Sequence, residues 1–251
     1  MNHRFNTTLL VLALLAPLGA GAQVSLAITV APPPLPYYAQ PPSPGDGYIW
    51  SPGYWAWAAA DSDYYWVPGT WVEAPGVGDL WTPGYWAYEG TGFFWHGGYW
   101  ARAVGYYGGV NYGYGYSGTG YQGGHWSHNR FVRARVAERT QSGNPVSFNG
   151  GAEGTQARPP KVSAPVRSND HRAPGDAQMQ HERAAVMRPA QRATGSHEQT
   201  LVAATPRPMA FEGPGVEHAR GAIAPQRTNH SATEARSTPD ARPESPSRRE
   251  H

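Results

Sequence analysis

The chain has no cysteine, which excludes a disulfide framework, a thiolate metal site and a lipid-attachment residue behind a leader peptide. It has no apolar run of the roughly twenty residues that a membrane-spanning helix needs. After residue 126 the side chains that build cores become scarce. Residues 127–251 hold 13 Leu, Ile, Val and Phe in 125 positions, about 10%, half of the roughly 20% below which a chain rarely buries enough surface to fold. All ten Trp and all fifteen Tyr precede Ser127. Signatures of catalysis are missing too: there is no Gly-x-Ser-x-Gly, no phosphate loop and no dinucleotide fingerprint. Asp61, Asp63, Glu73, Asp79 and Glu89 fall at expected turns or strand edges, where solvated charge is the ordinary explanation. The sequence therefore points away from an enzyme and away from any cofactor.

What is there begins with a leader. Arg4, the apolar stretch Leu9 to Leu18 and the small residues Ala20-Gly21-Ala22 make residues 1–22 an expected signal peptide, cleaved before Gln23. The expected location is exported: periplasmic or outer-membrane-associated, or extracellular, with no transmembrane span in the mature chain. Charge divides the rest. Residues 23–126 carry one Arg and six acids, net −5, whereas residues 127–251 carry 18 basic and 12 acidic residues, net +6. The expected domains are a Trp-rich β-repeat domain over 23–136 and a disordered Pro/Ala/Arg-rich tail over 137–251. The tail arginines could touch anionic polymers. The twelve acids dilute them and export removes nucleic acid from reach, so a solvated spacer is the better reading and no nucleic-acid partner is expected.

The dominant feature is an internal repeat. Trp50-Ser51-Pro52-Gly53-Tyr54-Trp55, Trp66-Val67-Pro68-Gly69-Thr70-Trp71, Trp81-Thr82-Pro83-Gly84-Tyr85-Trp86 and Trp95-His96-Gly97-Gly98-Tyr99-Trp100 share the pattern Trp-x-Pro/Gly-Gly-x-Trp. Tyr121-Gln122-Gly123-Gly124-His125-Trp126 is a fifth copy with Tyr in the first place. Proline followed by glycine suits a type II turn. On that reading Pro52-Gly53, Pro68-Gly69, Pro83-Gly84, Gly97-Gly98 and Gly123-Gly124 are turns, and each motif is a hairpin. Trp50 then faces Trp55 across the turn, Tyr48 faces Trp57, and Phe93 faces Arg102. Two-residue hairpins favour turns of the opposite twist, so bulges or corners are the alternative. The aromatic stripe follows period two, which argues strand over helix. Residues 24–30 alternate as a strand through Val24, Leu26, Ile28 and Val30, and residues 131–136 read as a closing strand. The Gly-Tyr tract at 105–120 reads as a mobile or glycine-cushioned loop.

The motif, with Ala31-Pro32-Pro33-Pro34-Leu35-Pro36 before it and Gly105-Tyr106-Tyr107-Gly108-Gly109-Val110-Asn111-Tyr112 and Val146-Ser147-Phe148-Asn149-Gly150-Gly151 after it, resembles the bacterial YXWGXW (WXXGXW) repeat family over roughly residues 24–151. The resemblance implies an exported protein of a Gram-negative envelope. Some relatives are outer-membrane lipoproteins that assist surface-protein secretion, and this cysteine-free chain lacks their anchor.

The expected fold is all-β: an antiparallel meander of eight to eleven short strands in Trp-rich hairpin repeats, followed by a long disordered tail. The expected function is a non-catalytic cell-envelope structural or interaction protein whose partner is another envelope component, protein or glycan. Two alternatives stand beside it. One is a carbohydrate or peptidoglycan module that binds through exposed Trp50, Trp55, Trp66, Trp71, Trp81, Trp86, Trp95, Trp100 and Trp126; in the leading reading the same rings are the core. The other is a matrix protein that self-associates through the Gly-Tyr tract. No metal site is expected, because His125 and His128, the one tight histidine pair near the array, lie in a turn and His96 is elsewhere. The tail histidines His171, His181, His197, His218 and His230 are scattered.

Overall fold

A computed structural model describes residues 27–134, 146–148, 150–155, 168–194 and 201–211. The leader, residues 24–26 of the expected 24–30 strand, residues 135 and 136 of the expected closing strand and residues 212–251 lie outside these. Among the described residues the fold is all-β, small antiparallel hairpins with one short helix. Twelve strands occur between residues 48 and 133, slightly more than the eight to eleven expected.

The array consists of two long hairpins. The first has β1 (Tyr48–Ser51) and β2 (Tyr54–Ala58) as one arm and β3 (Asp63–Val67) and β4 (Gly69–Glu73) as the other. The second repeats this with β5 (Leu80–Thr82), β6 (Tyr85–Tyr88), β7 (Phe93–His96) and β8 (Tyr99–Ala101). Pairing is nested: β2 with β3 and β1 with β4, then β6 with β7 and β5 with β8. The chain therefore reverses between motifs, at residues 59–62 and 89–92, and each Pro-Gly step lies in the middle of an arm.

This corrects the expected register. Trp50 faces Trp71 and Trp55 faces Trp66; Trp81 faces Trp100 and Trp86 faces Trp95. Tyr48 opposes Glu73 and Phe93 opposes Tyr88, where Trp57 and Arg102 were expected. Two residues intervene on each arm between the Ser51–Thr70 and Tyr54–Val67 pairs, so Pro52 faces Gly69 and Gly53 faces Pro68. Proline cannot donate to a ladder; Pro52 and Pro68 facing glycines split the first long hairpin into two short ladders, and Pro83 facing Gly98 splits the second. Trp50 and Trp55 are five residues apart, an odd step that would put them on opposite faces of a flat strand. Rotation at the break brings both into one core cluster.

The glycines serve space rather than turn geometry. Gly53, Gly69, Gly84 and Gly98 do not have positive φ. A Cβ on Gly53 would lie 2.3 Å from Cζ2 of Trp66, and one on Gly69 2.5 Å from Cζ2 of Trp50. In the second hairpin Gly84 lies under Trp95 and Gly98 under Trp81, with corresponding distances of 2.4 Å in both cases. The first Trp of each motif thus covers the last glycine of its partner motif. The crossed Trp pairs sit at centroid distances of 5.2 to 5.4 Å and interplanar angles of 52° to 66°, the tilted geometry that the ring quadrupole favours.

The Gly-Tyr tract is core, contrary to the loop expected. It holds β9 (Asn111–Gly113) and β10 (Tyr116–Ser117), joined through Tyr114 and Gly115, both at positive φ, as a type I′ turn requires. Tyr107, Tyr112, Tyr114 and Tyr116 are buried, and each hydroxyl finds a backbone carbonyl. Tyr116 donates to Trp50 and Trp81 and so ties the two long hairpins together. Tyr112 donates to Gly84, Tyr114 to Tyr38 and Tyr107 to Gly120. β11 (Gly124–Ser127) and β12 (Arg130–Arg133) form the last hairpin, turning at His128 and Asn129, again both at positive φ.

Parts of the chain beyond residue 136 return to the array. Phe148 packs edge-on against Phe93 at 4.9 Å. α1 (Asp176–Val186) contacts β3, a 3-10 turn follows at Pro189–Gln191, and β13 (Ala204–Thr205) adds in parallel to β4. The disorder expected over 137–251 does not extend to these stretches. Residues 27–30 do not form the strand expected at 24–30: Ile28 alone makes a two-way backbone bridge to Phe93, and the prolines from Pro32 onward cannot extend a ladder.

Candidate functional site

Seven of the nine expected site tryptophans, Trp50, Trp55, Trp66, Trp71, Trp81, Trp86 and Trp100, are at most 8% exposed. Trp95 is 36% exposed and Trp126 is half-buried. The expected aromatic face is therefore mostly interior, because few aliphatic side chains are available between residues 37 and 126 to fill that space. Gly123 and Gly124 open the β11–β12 hairpin, in which Trp126 faces Phe131. His125 and His128 are not joined by His96, which hydrogen-bonds to Glu89 at 3.0 Å and stacks on Tyr85.

The buried indoles keep a polar edge, which must be satisfied. Their N–H groups reach out to the segments on either side of the array. Trp55 donates to the carbonyl of Pro34 and Trp71 to that of Pro41, at 3.1 and 2.8 Å, fixing the proline-rich stretch before β1. Trp66 donates to Ala203 and Trp100 to the side-chain oxygen of Gln178, at 3.0 and 2.8 Å, fixing the returning tail. Trp86 donates to the carbonyl of Trp55 and joins the hairpins. Backbone pairing adds to this. Trp100 exchanges two bonds with Arg172, Ala193 donates to Tyr64, and Gly69 donates to Ala203. Strand edges that would otherwise invite intermolecular pairing are covered by the chain's own flanks.

Where the arm breaks of the two hairpins meet, a cleft of about 150 Å3 opens beneath α1. Pro52, Pro68 and Pro83 line its floor, Tyr54 and Trp95 its side, and Gln178, His181 and Glu182 its roof. Tyr54 and Trp95 stack at 5.1 Å and 20°. The Glu182 carboxylate accepts hydrogen bonds from the hydroxyls of Tyr54 at 3.0 Å and Tyr65 at 3.2 Å. Burial first, and Glu182 second, hold the Tyr54 hydroxyl well above its ordinary range.

His181 anchors the roof. Its Nδ1 accepts from the amide of Met209 and its Nε2 donates to the carbonyl of Pro68, both at 3.0 Å. Phe211 stacks on the ring at 5.0 Å. Those partners require the neutral imidazole, and burial lowers the pKa to about 4 against the opposing pull of the Pro68 carbonyl. The unfolded chain takes up this proton near pH 6.5. Stability from this group is therefore complete above pH 6.5 and declines as the pH falls towards 4, by up to about 3 kcal/mol. Thermal unfolding from pH 7 to 4 should show a steeper loss of Tm in the wild type than in His181→Gln; equal slopes would remove His181 from the roof.

None of Gln178, His181 and Glu182 was singled out as a site residue from sequence. A signal was present: between Gly175 and Pro189 the chain has thirteen residues with no Pro or Gly, rich in Ala, Gln, Met and Arg, which are helix formers. The low aliphatic content of the tail masked it, because the returning stretches bury His181, Gln191, Ala203 and Thr205 instead. Gln191 spans the backbone carbonyls of Trp66 and Val202 and accepts from the Val202 amide. Asp79 is only 2% exposed, pairs with Arg172 at 2.7 Å and lies 3.7 Å from Arg102.

These features define a class: an all-β repeat protein whose tryptophan motifs cross in pairs and hold flanking chain along their edges. The array carries WXXGXW repeats: the model of that repeat family matches twice, over residues 45–72 and 76–101. Each match spans one long hairpin, so the family unit corresponds to two copies of the short motif. No curated protein and no solved structure matches the chain.

Proposed function

We propose that this chain is a non-catalytic, exported cell-envelope protein in which the paired repeats act as an interaction scaffold. The observation that carries the reading is the use made of the tryptophans. Their rings form the core, and four of their N–H groups bind extended or helical chain from outside the array, at Pro34, Pro41, Ala203 and Gln178. Trp donors and strand edges together are a recurring way to hold a polypeptide segment. The acids of the array already have structural partners: Asp61 pairs with Arg192, Asp63 accepts from Thr194, Asp79 pairs with Arg172, and Glu89 pairs with His96. Export rests on the leader-like residues 1–22.

The carbohydrate reading retains Trp95 and Trp126, and one face of Trp95 is already stacked on Tyr54. Self-association through residues 105–120 would need tyrosines that are committed to the interior. Acrylamide quenching of tryptophan fluorescence separates these readings. On the scaffold reading the emission is blue-shifted, the accessible fraction is small and comes mainly from Trp95 and Trp126, and neutral glycan strands leave it unchanged. Protection by one glycan would instead establish a binding module.

A further inference from the structure

We propose that the cleft beneath α1 is a binding site for a small alkylammonium ion. Its volume of about 150 Å3 corresponds to about five water molecules at roughly 30 Å3 each, the size of a quaternary or short primary alkylammonium group. The walls are proline and aromatic side chains, among them Tyr54, Trp81, Trp95 and Tyr112. Aromatic faces attract a cation through the ring quadrupole, most strongly where water is displaced.

Glu182 supplies the charge. Its two oxygens each accept one tyrosine hydroxyl, which fixes the carboxylate at the roof without neutralising it, and a carboxylate can accept more bonds than these two. No Arg or Lys lines the cleft, and among the described residues none pairs with Glu182. Arg192, which lies over the ring of Tyr65, is held by Asp61 at 2.5 Å. His181 is committed to Met209 and Pro68 in its neutral form. A semi-enclosed site with one uncompensated carboxylate and several π faces discriminates in favour of a cation and against an anion or a neutral molecule of the same shape. The inference is independent of the scaffold reading: a chain that binds no ammonium ion can still hold polypeptide along its edges, and glycan protection would be read with neutral ligands.

The test uses the full chain. Tetramethylammonium and n-butylammonium are titrated against it by calorimetry and tryptophan fluorescence, with tert-butanol as the neutral analogue and butyrate as the anion. At least one cation is expected to bind saturably with a Kd in the millimolar range or tighter, and the neutral analogue and the anion at least tenfold more weakly. Glu182→Gln, which keeps an acceptor oxygen, is expected to weaken the cation at least tenfold; Glu73→Gln, which removes an exposed carboxylate that does not line the cleft, is expected to retain binding. The proposal is overturned if neither cation binds, if tert-butanol binds as well as tetramethylammonium, or if folded Glu182→Gln binds unchanged. The comparison of cation with neutral analogue on the unaltered chain decides the matter even if a variant does not fold.

Discussion

Gly98→Ala should cost about 3 kcal/mol or more in urea unfolding, whereas Gly97→Ala, one residue earlier, should fall within about 0.5 kcal/mol of the parent or slightly above it. Neither glycine has positive φ, so conformational freedom does not distinguish them. Space does. A Cβ on Gly98 would lie 2.4 Å from Cζ2 of Trp81, 2.8 Å from the carbonyl oxygen of Thr82 and 2.9 Å from the nitrogen of Gly84. Two of those neighbours are backbone of the opposite arm and the third is a buried ring, so none can retreat without opening a ladder. At Gly97 the nearest atom is Nε1 of Trp95 at 4.0 Å. This agrees with the motif itself, in which the third place accepts Pro or Gly and the fourth is Gly in every copy. Equal losses at the two positions would mean that the glycines serve backbone conformation and that the crossed-Trp account is wrong.

The second large effect is alkaline unfolding. Burial pushes the Tyr107 hydroxyl up to about 12, and it holds Tyr38, Tyr112 and Tyr116 higher still, each buried in the same core. Unfolded tyrosines ionise near pH 10. The sign follows from proton binding: above pH 10 the folded chain holds protons that the unfolded chain has lost, so stability falls as the pH rises. Tyr107 alone contributes a loss of about 3 kcal/mol by pH 12, and the four together exceed the 5–15 kcal/mol that usually separates folded from unfolded chains at its lower end. Cooperative unfolding between pH 10 and 12 is expected, with absorbance of tyrosinate at the same midpoint as the loss of circular dichroism. Tyrosine ionisation that precedes unfolding by a full pH unit would show that the Gly-Tyr tract is outside the core.

The tract also marks where local reading of the chain stops. Glycine at that density weakens a strand, and nothing in the local spacing distinguishes a mobile loop from one clamped by its tyrosines. What settles it is the supply of acceptors. The carbonyls of Trp50 and Trp81 lie close enough together for Tyr116 to bond both, and those residues are 31 positions apart in sequence. The register of the motifs failed for a similar reason. Pro-Gly has the local chemistry of a turn, and a turn would satisfy the period-two stripe just as well. Only the steric demand of the indole over the opposite glycine, felt once two motifs are side by side, makes the step a break within a straight arm. At the cleft, Tyr54 and Trp95 stood in or beside the recognised motifs, but Glu182 arrives from 128 residues away from Tyr54 on a helix whose own composition gives no hint of its destination.

The sequence by itself determined the all-β class, the aromatic nature of the core and the presence of WXXGXW repeats, because these depend on residue type and spacing along one strand. Only the tertiary structure decided which tryptophan meets which, that the glycines are spaces, that the Gly-Tyr tract is interior and that parts of the tail return to roof a cleft. Those outcomes depend on contacts between segments distant in sequence, and a buried hydroxyl, indole N–H or carboxylate selects its partner only when packing brings one within about 3 Å.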